Sequence, residues 1–264
     1  MNEDTKRITL AAGPLQVSCS DIGGGQPYLL LHGGAGPQSM AGLSAALAAE
    51  GRAITPVHPG FAGTPRPGWC HRVQDLADAY LALIDMLDLQ GVIVIGNSVG
   101  GWLAAEIALR DSPRVAAIVL LNACGIDTGS PDKPIPDPMA LPPAERAAMA
   151  FHDPQRHAVF PATPEAAAAM AANQRTLRVY AGEPFMHDPG LRRRLGSMRV
   201  PSLVLWGESD RIVDLAYGRR LAAAMPAATF AAVPGAGHFP QIEQLEVVTG
   251  HIEALRRSLV PARN

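Results

Sequence analysis

Short, nearly continuous apolar runs recur along this chain at 28–31, 53–57, 92–95, 115–121, 203–206 and 229–233, each ending at Gly, Pro, His or Asn. A run that is apolar at every position suits a strand buried on both faces of a parallel sheet. Between the runs, segments 40–50, 73–87, 100–110, 216–225 and 241–258 carry apolar residues at helical spacing. The alternation predicts an α/β fold, a mostly parallel sheet flanked by helices.

The alternation stops between about 126 and 190, where prolines crowd 131–143 and an Ala-rich stretch follows at 164–178. A segment this long, with its own helical spacing and apolar side chains (Met139, Met149, Phe151, Met170), predicts a small helical insert rather than a loop. The expected division is a core of 1–125 and 191–264 with a helical cap at 126–190, lying as a lid over one end of the sheet.

Composition narrows the function classes. With 48% hydrophobic residues among 264, the chain can bury one large core plus a modest second lobe. A formal net charge of -2, and no basic run longer than Arg192-Arg193-Arg194, leave no footprint for a phosphate backbone, so no nucleic-acid partner is expected. Cys19, Cys70 and Cys124 are widely spaced with no C-x-x-C pair, and read as small buried thiols rather than a disulfide framework or zinc site. The acidic, polar N-terminus leads into no signal-like apolar segment, and no apolar run is long enough to span a bilayer. The expectation is a cytoplasmic protein with a small-molecule substrate and no membrane partner; oligomeric state stays open, a homodimer included. No H-E-x-x-H or comparable spacing calls for a metal, and no cofactor is expected.

Gly96-Asn97-Ser98-Val99-Gly100 fits G-x-S-x-G, a pattern that some serine in a chain of this glycine content meets by chance with a probability of roughly 0.1. Its context is more specific: a strand-like run precedes it and a helix-like segment follows, the strand, sharp turn and helix that this motif requires. A serine hydroxyl needs a base, and the base an orienting acid. His238, in Gly-Ala-Gly-His-Phe-Pro after the last strand-like run, is the candidate base. Asp210, in Trp-Gly-Glu-Ser-Asp-Arg-Ile-Val, is the candidate acid, with Glu208 and Asp214 as competitors. Asp210 is preferred because it gives the chain order Ser, Asp, His several residues beyond its strand. The glycine-rich His32-Gly-Gly-Ala-Gly-Pro37, directly after the first run, resembles a loop that donates to an oxyanion. The backbone N–H groups of Gly34 and Val99 are therefore the expected oxyanion donors, and His32 is read as holding the loop.

Taken together, His32-Gly33-Gly34, the His58-Pro-Gly-Phe-Ala-Gly-Thr stretch, Gly96–Gly101, Trp206–Asp210 and Gly235–Phe239 resemble the α/β-hydrolase superfamily over nearly the whole chain outside the insert. That resemblance implies an eight-stranded, mostly parallel sheet, a helical cap after the sixth strand and a cofactor-free Ser-His-Asp mechanism. Gly33-Gly34-Ala35-Gly36-Pro37 and Asn97-Ser98-Val99-Gly100-Gly101 are similar to superfamily members that cleave carbon-carbon bonds in ring-fission products of aromatic degradation. Departures from those enzymes are Phe239 in place of a tryptophan and His58 in place of an aspartate; Arg175 and Arg178 are candidates for their dienoate-binding arginine. The expected activity is hydrolysis of a small to medium carboxylic ester through an acyl-enzyme, with substrate contacts from Gly33, Asn97, Met149, Met186 and Phe239. The alternatives are a carbon-carbon hydrolase of a vinylogous diketone and a non-catalytic binding protein on the same fold.

Overall fold

The structure, a computed structural model, describes residues 3–130, 132–137 and 140–259, so Met139 lies outside the described residues. Eight strands form one sheet in the order β1-β2-β4-β3-β5-β6-β7-β8. They are β1 (Glu3–Leu10), β2 (Gly13–Gly23), β3 (Gln26–Leu31), β4 (Gly51–Pro56), β5 (Val92–Asn97), β6 (Val115–Leu121), β7 (Ser202–Gly207) and β8 (Ala228–Val233). Strand β2 is antiparallel to both its neighbours; every other pair is parallel.

The six apolar runs are β3 to β8. The first two strands escape that criterion for a physical reason. In β2 only alternate residues, Leu15, Val17 and Cys19, are buried, whereas β5 is buried throughout. A strand covered on one face carries a period of two rather than a continuous run.

Helices α1 (Ala41–Ala48), α2 (Val73–Met86) and α3 (Val99–Ala108) follow β3, β4 and β5. Between β6 and β7 lie α4 (Pro143–Ala150), α5 (Pro154–His157), α6 (Pro164–Ala181) and α7 (Leu191–Leu195). After β7 come α8 (Leu215–Ala223), then α9 (Pro240–Glu243) and α10 (Leu245–Leu259) beyond β8. The periodicity at 241–258 is thus two helices, broken at Gln244, whose φ of -137° and ψ of 53° are not helical.

Successive residues of the central strands feed two cores. Val94, Ile118, Leu120, Val204 and Trp206 pack with residues of α2, α3 and α8, while Ile93, Ile95, Val119, Leu121 and Leu205 pack with residues of α1 and α10. Both faces are covered, which is why these strands read as unbroken apolar runs.

The two ends of the segment between β6 and β7 meet. Gly125 donates to Met186 O (3.1 Å) and accepts from Asp188 N (2.9 Å). Beneath this junction the buried Glu106 of α3 accepts both arms of Arg194 (2.7 and 2.9 Å), and Asp188 accepts from the same guanidinium (2.6 Å). Arg194 is held charged by these carboxylates, so α3 is pinned to the chain that re-enters the sheet.

The strand order reverses direction between β3 and β5: the chain moves from β3 outward to β4, then returns across β3 to β5. Loops that leave the carboxyl ends of two such strands diverge and open a crevice. Those loops carry Gly33–Gly36 and Ser98.

Candidate active site

Ser98 sits between β5 and α3 with φ 56° and ψ -121°, a conformation that costs a residue bearing a Cβ on the order of 1–3 kcal/mol. The flanking glycines make the turn possible, because a Cβ on Gly96 would lie 2.0 Å from Gly100 O. The turn is secured by Ser98 N donating to Leu121 O (3.0 Å) and by Trp102 N donating to Ser98 O (3.2 Å). Val99, the first residue of α3, presents an N–H that the helix geometry leaves without an internal acceptor. Ser98, the N-cap residue, thus sits at the positive end of the helix dipole.

His238 and Asp210 are both buried, and His238 Nδ1 lies 2.8 Å from Asp210 Oδ2. With a carboxylate at that distance Nδ1 carries the proton, which leaves Nε2 free to accept. The histidine is tied at both backbone ends: its N–H donates to Ala150 O (2.6 Å), and its carbonyl accepts from Asn97 Nδ2 (2.9 Å). Asp210 accepts at Oδ1 from Ile212 N (2.8 Å) and Val213 N (3.2 Å), and at Oδ2 also from Asn122 Nδ2 (2.7 Å). The competing acids are occupied elsewhere or exposed: Asp214 caps α8 at Tyr217 N (2.7 Å), and Glu208 is exposed.

Among the described residues, no hydrogen bond joins Ser98 Oγ to the imidazole. Cys124 lies against the same turn, its N–H donating to Ser98 O (3.2 Å), and burial pushes its thiol up to about 12 and keeps it neutral. Catalytic Ser–His contacts commonly tighten only around substrate.

The glycine-rich loop at Gly33–Gly36 is built on two buried histidines. His58 N donates to His32 Nε2 (3.0 Å), and His32 Nδ1 contacts Gly33 O (2.8 Å). The rings stack at 3.8 Å, and His58 is closed off by Tyr80 OH (2.6 Å) and His32 O (2.9 Å). Burial depresses His32 to about 4 and His58 well below its ordinary value, so both are neutral. Gly33 lies directly against Ser98, since a Cβ there would come 2.9 Å from Ser98 Cβ.

Helix α6 lies over this loop and is fastened to the neighbouring one at 59–62. Asn173 Oδ1 accepts from Ala62 N (2.8 Å), Thr176 Oγ1 donates to Gly60 O (2.9 Å) and Tyr180 OH to Pro59 O (2.9 Å). Leu177 sits over Gly34, its Cδ2 2.5 Å from where a Cβ would be. These residues recur at helical spacing on one face. Arg175 and Arg178 fall off that face: both are exposed, and Arg178 pairs with Asp137 at 2.8 Å.

The expected substrate contacts separate. Gly33 and Asn97 flank Ser98, and Phe239 packs edge-on to His238 at 5.2 Å and against Phe151 at 5.2 Å. Met149 is half-buried and ties α4 to the Asp210 loop, its carbonyl accepting from Arg211 N (3.1 Å). Met186 is buried in the larger core cluster, with its backbone on Gly125. Sequence reasoning missed Asn122 and Leu177. For Asn122 the only signal is its place, first after the apolar run 115–121; Leu177 looks like any apolar residue of a helix.

Residues 28–249 match the Alpha/beta hydrolase family. The chain belongs to that family. Among its relatives is a 2-hydroxy-6-oxo-2,4-heptadienoate hydrolase of Pseudomonas putida, 29% identical, with 92% of this chain and 93% of the relative covered. Another is a pimeloyl-[acyl-carrier protein] methyl ester esterase of Aromatoleum aromaticum, 30% identical over 83% of this chain and 93% of the relative. Among solved structures, an esterase from Thermogutta terrifontis superposes with a TM-score of 0.78 at 24% identity, covering 98% of this chain and 99% of its own. A meta-cleavage product hydrolase from Pseudomonas fluorescens gives 0.77 at 24% identity, covering 97% and 98%. These two structures share the fold.

Proposed function

We propose that the protein is a serine hydrolase of small to medium carboxylic esters. The single observation that carries this reading is the buried His238–Asp210 pair, 2.8 Å apart, beside a serine in a strained strand-to-helix turn. In this mechanism Ser98 Oγ attacks the ester carbonyl as His238 Nε2 takes its proton. Asp210 stabilises the resulting imidazolium, and the alcohol leaves with the proton returned by His238. Water, deprotonated by the same nitrogen, then attacks the acyl-enzyme, and His238 returns the proton to Ser98 Oγ as the acyl–oxygen bond breaks and the acid is released. The N–H groups of Val99 and Gly34 hold the developing oxyanion; one such donor is worth about 3 kcal/mol in the transition state. Segment 126–190 acts as the cap, with Leu177 and Phe239 shaping the apolar walls.

A second reading, carbon-carbon hydrolysis of a vinylogous diketone, is supported by the dienoate hydrolases among the relatives. A dienoate carboxylate calls for a facing cation, and the exposed positions of Arg175 and Arg178 favour the ester. Purified enzyme assayed in parallel on p-nitrophenyl esters and on a dienone decides between them. We expect faster ester turnover and stoichiometric labelling of Ser98 by a fluorophosphonate. Dienone cleavage far faster than ester cleavage would favour the second reading, and no labelling of folded protein would remove both.

A further inference from the structure

Asn122 follows β6 directly, is fully buried and adopts a left-handed φ of 45°. Its backbone N–H continues the sheet to Leu205 O (3.1 Å), so the unusual φ serves the side chain rather than the ladder. Both ends of the amide are used. Oδ1 accepts from Gly207 N at the end of β7 (3.0 Å), and Nδ2 donates to Asp210 Oδ2 (2.7 Å). A flipped amide would set N–H against N–H and oxygen against carboxylate, so the hydrogen-bond chemistry fixes its orientation. Asp210 Oδ2 therefore carries two donors, Asn122 Nδ2 and His238 Nδ1, while Oδ1 carries two backbone N–H groups.

We infer that Asn122 is a positioning residue of the triad: it holds Asp210 Oδ2 against the imidazole and, by sharing that oxygen, limits the basicity that Asp210 confers on His238. The inference rests on Asp210 being the triad acid. The other charged and titratable groups around the pair are committed elsewhere or stand apart. The Arg211 guanidinium donates to Ala148 O, Asp214 caps α8, Glu243 accepts from Gly237 N, and His152 meets Ser209. Glu208 is exposed, and Cys124 contacts Ser98.

Removing the donor leaves Oδ2 to His238 alone, with its negative charge less dispersed and its geometry looser. A neighbouring anion with fewer competing hydrogen bonds favours the imidazolium. In Asn122→Leu, kcat should fall about ten- to a hundredfold with KM little changed, and the acid limb of the kcat/KM profile should move to higher pH. Asn122→Asp keeps the acceptor for Gly207. It should work while the new carboxyl holds a proton to donate, then lose activity at higher pH as a second carboxylate forms beside Asp210, a limb absent from the parent. The downfield proton resonance of His238 Nδ1 should shift in both variants. A purely structural role would lower the melting temperature but leave the pH profile, the resonance and kcat per folded molecule at parental values, and that result overturns the proposal. If Asn122→Leu does not fold, Asn122→Asp alone decides. Asp210→Asn is the control: near-parental activity there would remove the triad reading itself, whereas an inactive Asp210→Asn beside unperturbed Asn122 variants would remove only the role of Asn122.

Discussion

At the scale of single residues, the candidate nucleophile Ser98 carries a stability cost in its strained turn. Glycine adopts the φ of 56° at Ser98 without the Cβ penalty, at an entropic cost of about 0.5–1 kcal/mol against strain of about 1–3 kcal/mol. Ser98→Gly should therefore be inactive yet more stable than the parent by about 1 kcal/mol, read as a higher urea midpoint. An unchanged or lower midpoint would mean that the backbone is not strained there. Ser98, Asp210 and His238 were legible because each lies at a fixed point relative to an apolar run and carries a group with few other uses in that setting. Asn122 was not, since an asparagine ending a strand is common, and only the 2.7 Å contact with a carboxylate 88 residues away distinguishes it.

At the scale of elements, one face of α6 is laid on the loop that holds Gly34. Leu177 is the side chain in closest approach, and its neighbours Asn173, Thr176 and Tyr180 fix the helix by hydrogen bonds to the backbone of the adjacent loop at 59–62. Truncation at Leu177 leaves those bonds in place and opens space above the oxyanion loop. Leu177→Ala should cost about 2–4 kcal/mol of stability, the usual range for a buried leucine, and should raise turnover of esters with bulky acids relative to acetates. Parallel loss on both ester classes would count against α6 as a specificity wall. The sequence marked a helical insert here, but not the side it presents, because an Ala-rich helix has little amphipathic contrast and its loop partners are over a hundred residues away.

At the scale of the whole molecule, acid sensitivity follows from the paired histidines under the oxyanion loop. Burial depresses His32 to about 4 and His58 well below its ordinary value, so the folded chain binds fewer protons than the unfolded chain, whose histidines titrate near 6.5. Their contribution is fully present above about pH 6.5 and declines as pH falls toward 4, the direction in which protons favour unfolding. For His32 alone the loss approaches a few kcal/mol. Urea midpoints measured from pH 7 to 4.5 should fall, and His32→Gln should flatten that dependence; a pH-independent midpoint would contradict burial of neutral rings. The sequence by itself determined the α/β alternation, the six mutually parallel strands and the chemical identity of the three candidate catalytic groups, because local periodicity and motif spacing record where apolar strands run and where they end. Tertiary structure alone decided that β1 and the antiparallel β2 extend the sheet beyond β4, that Leu177 rather than an arginine faces Gly34, and that Asn122 clamps Asp210. Each of these depends on contacts between segments distant in sequence, and local pattern holds no information about which distant partner a side chain will meet.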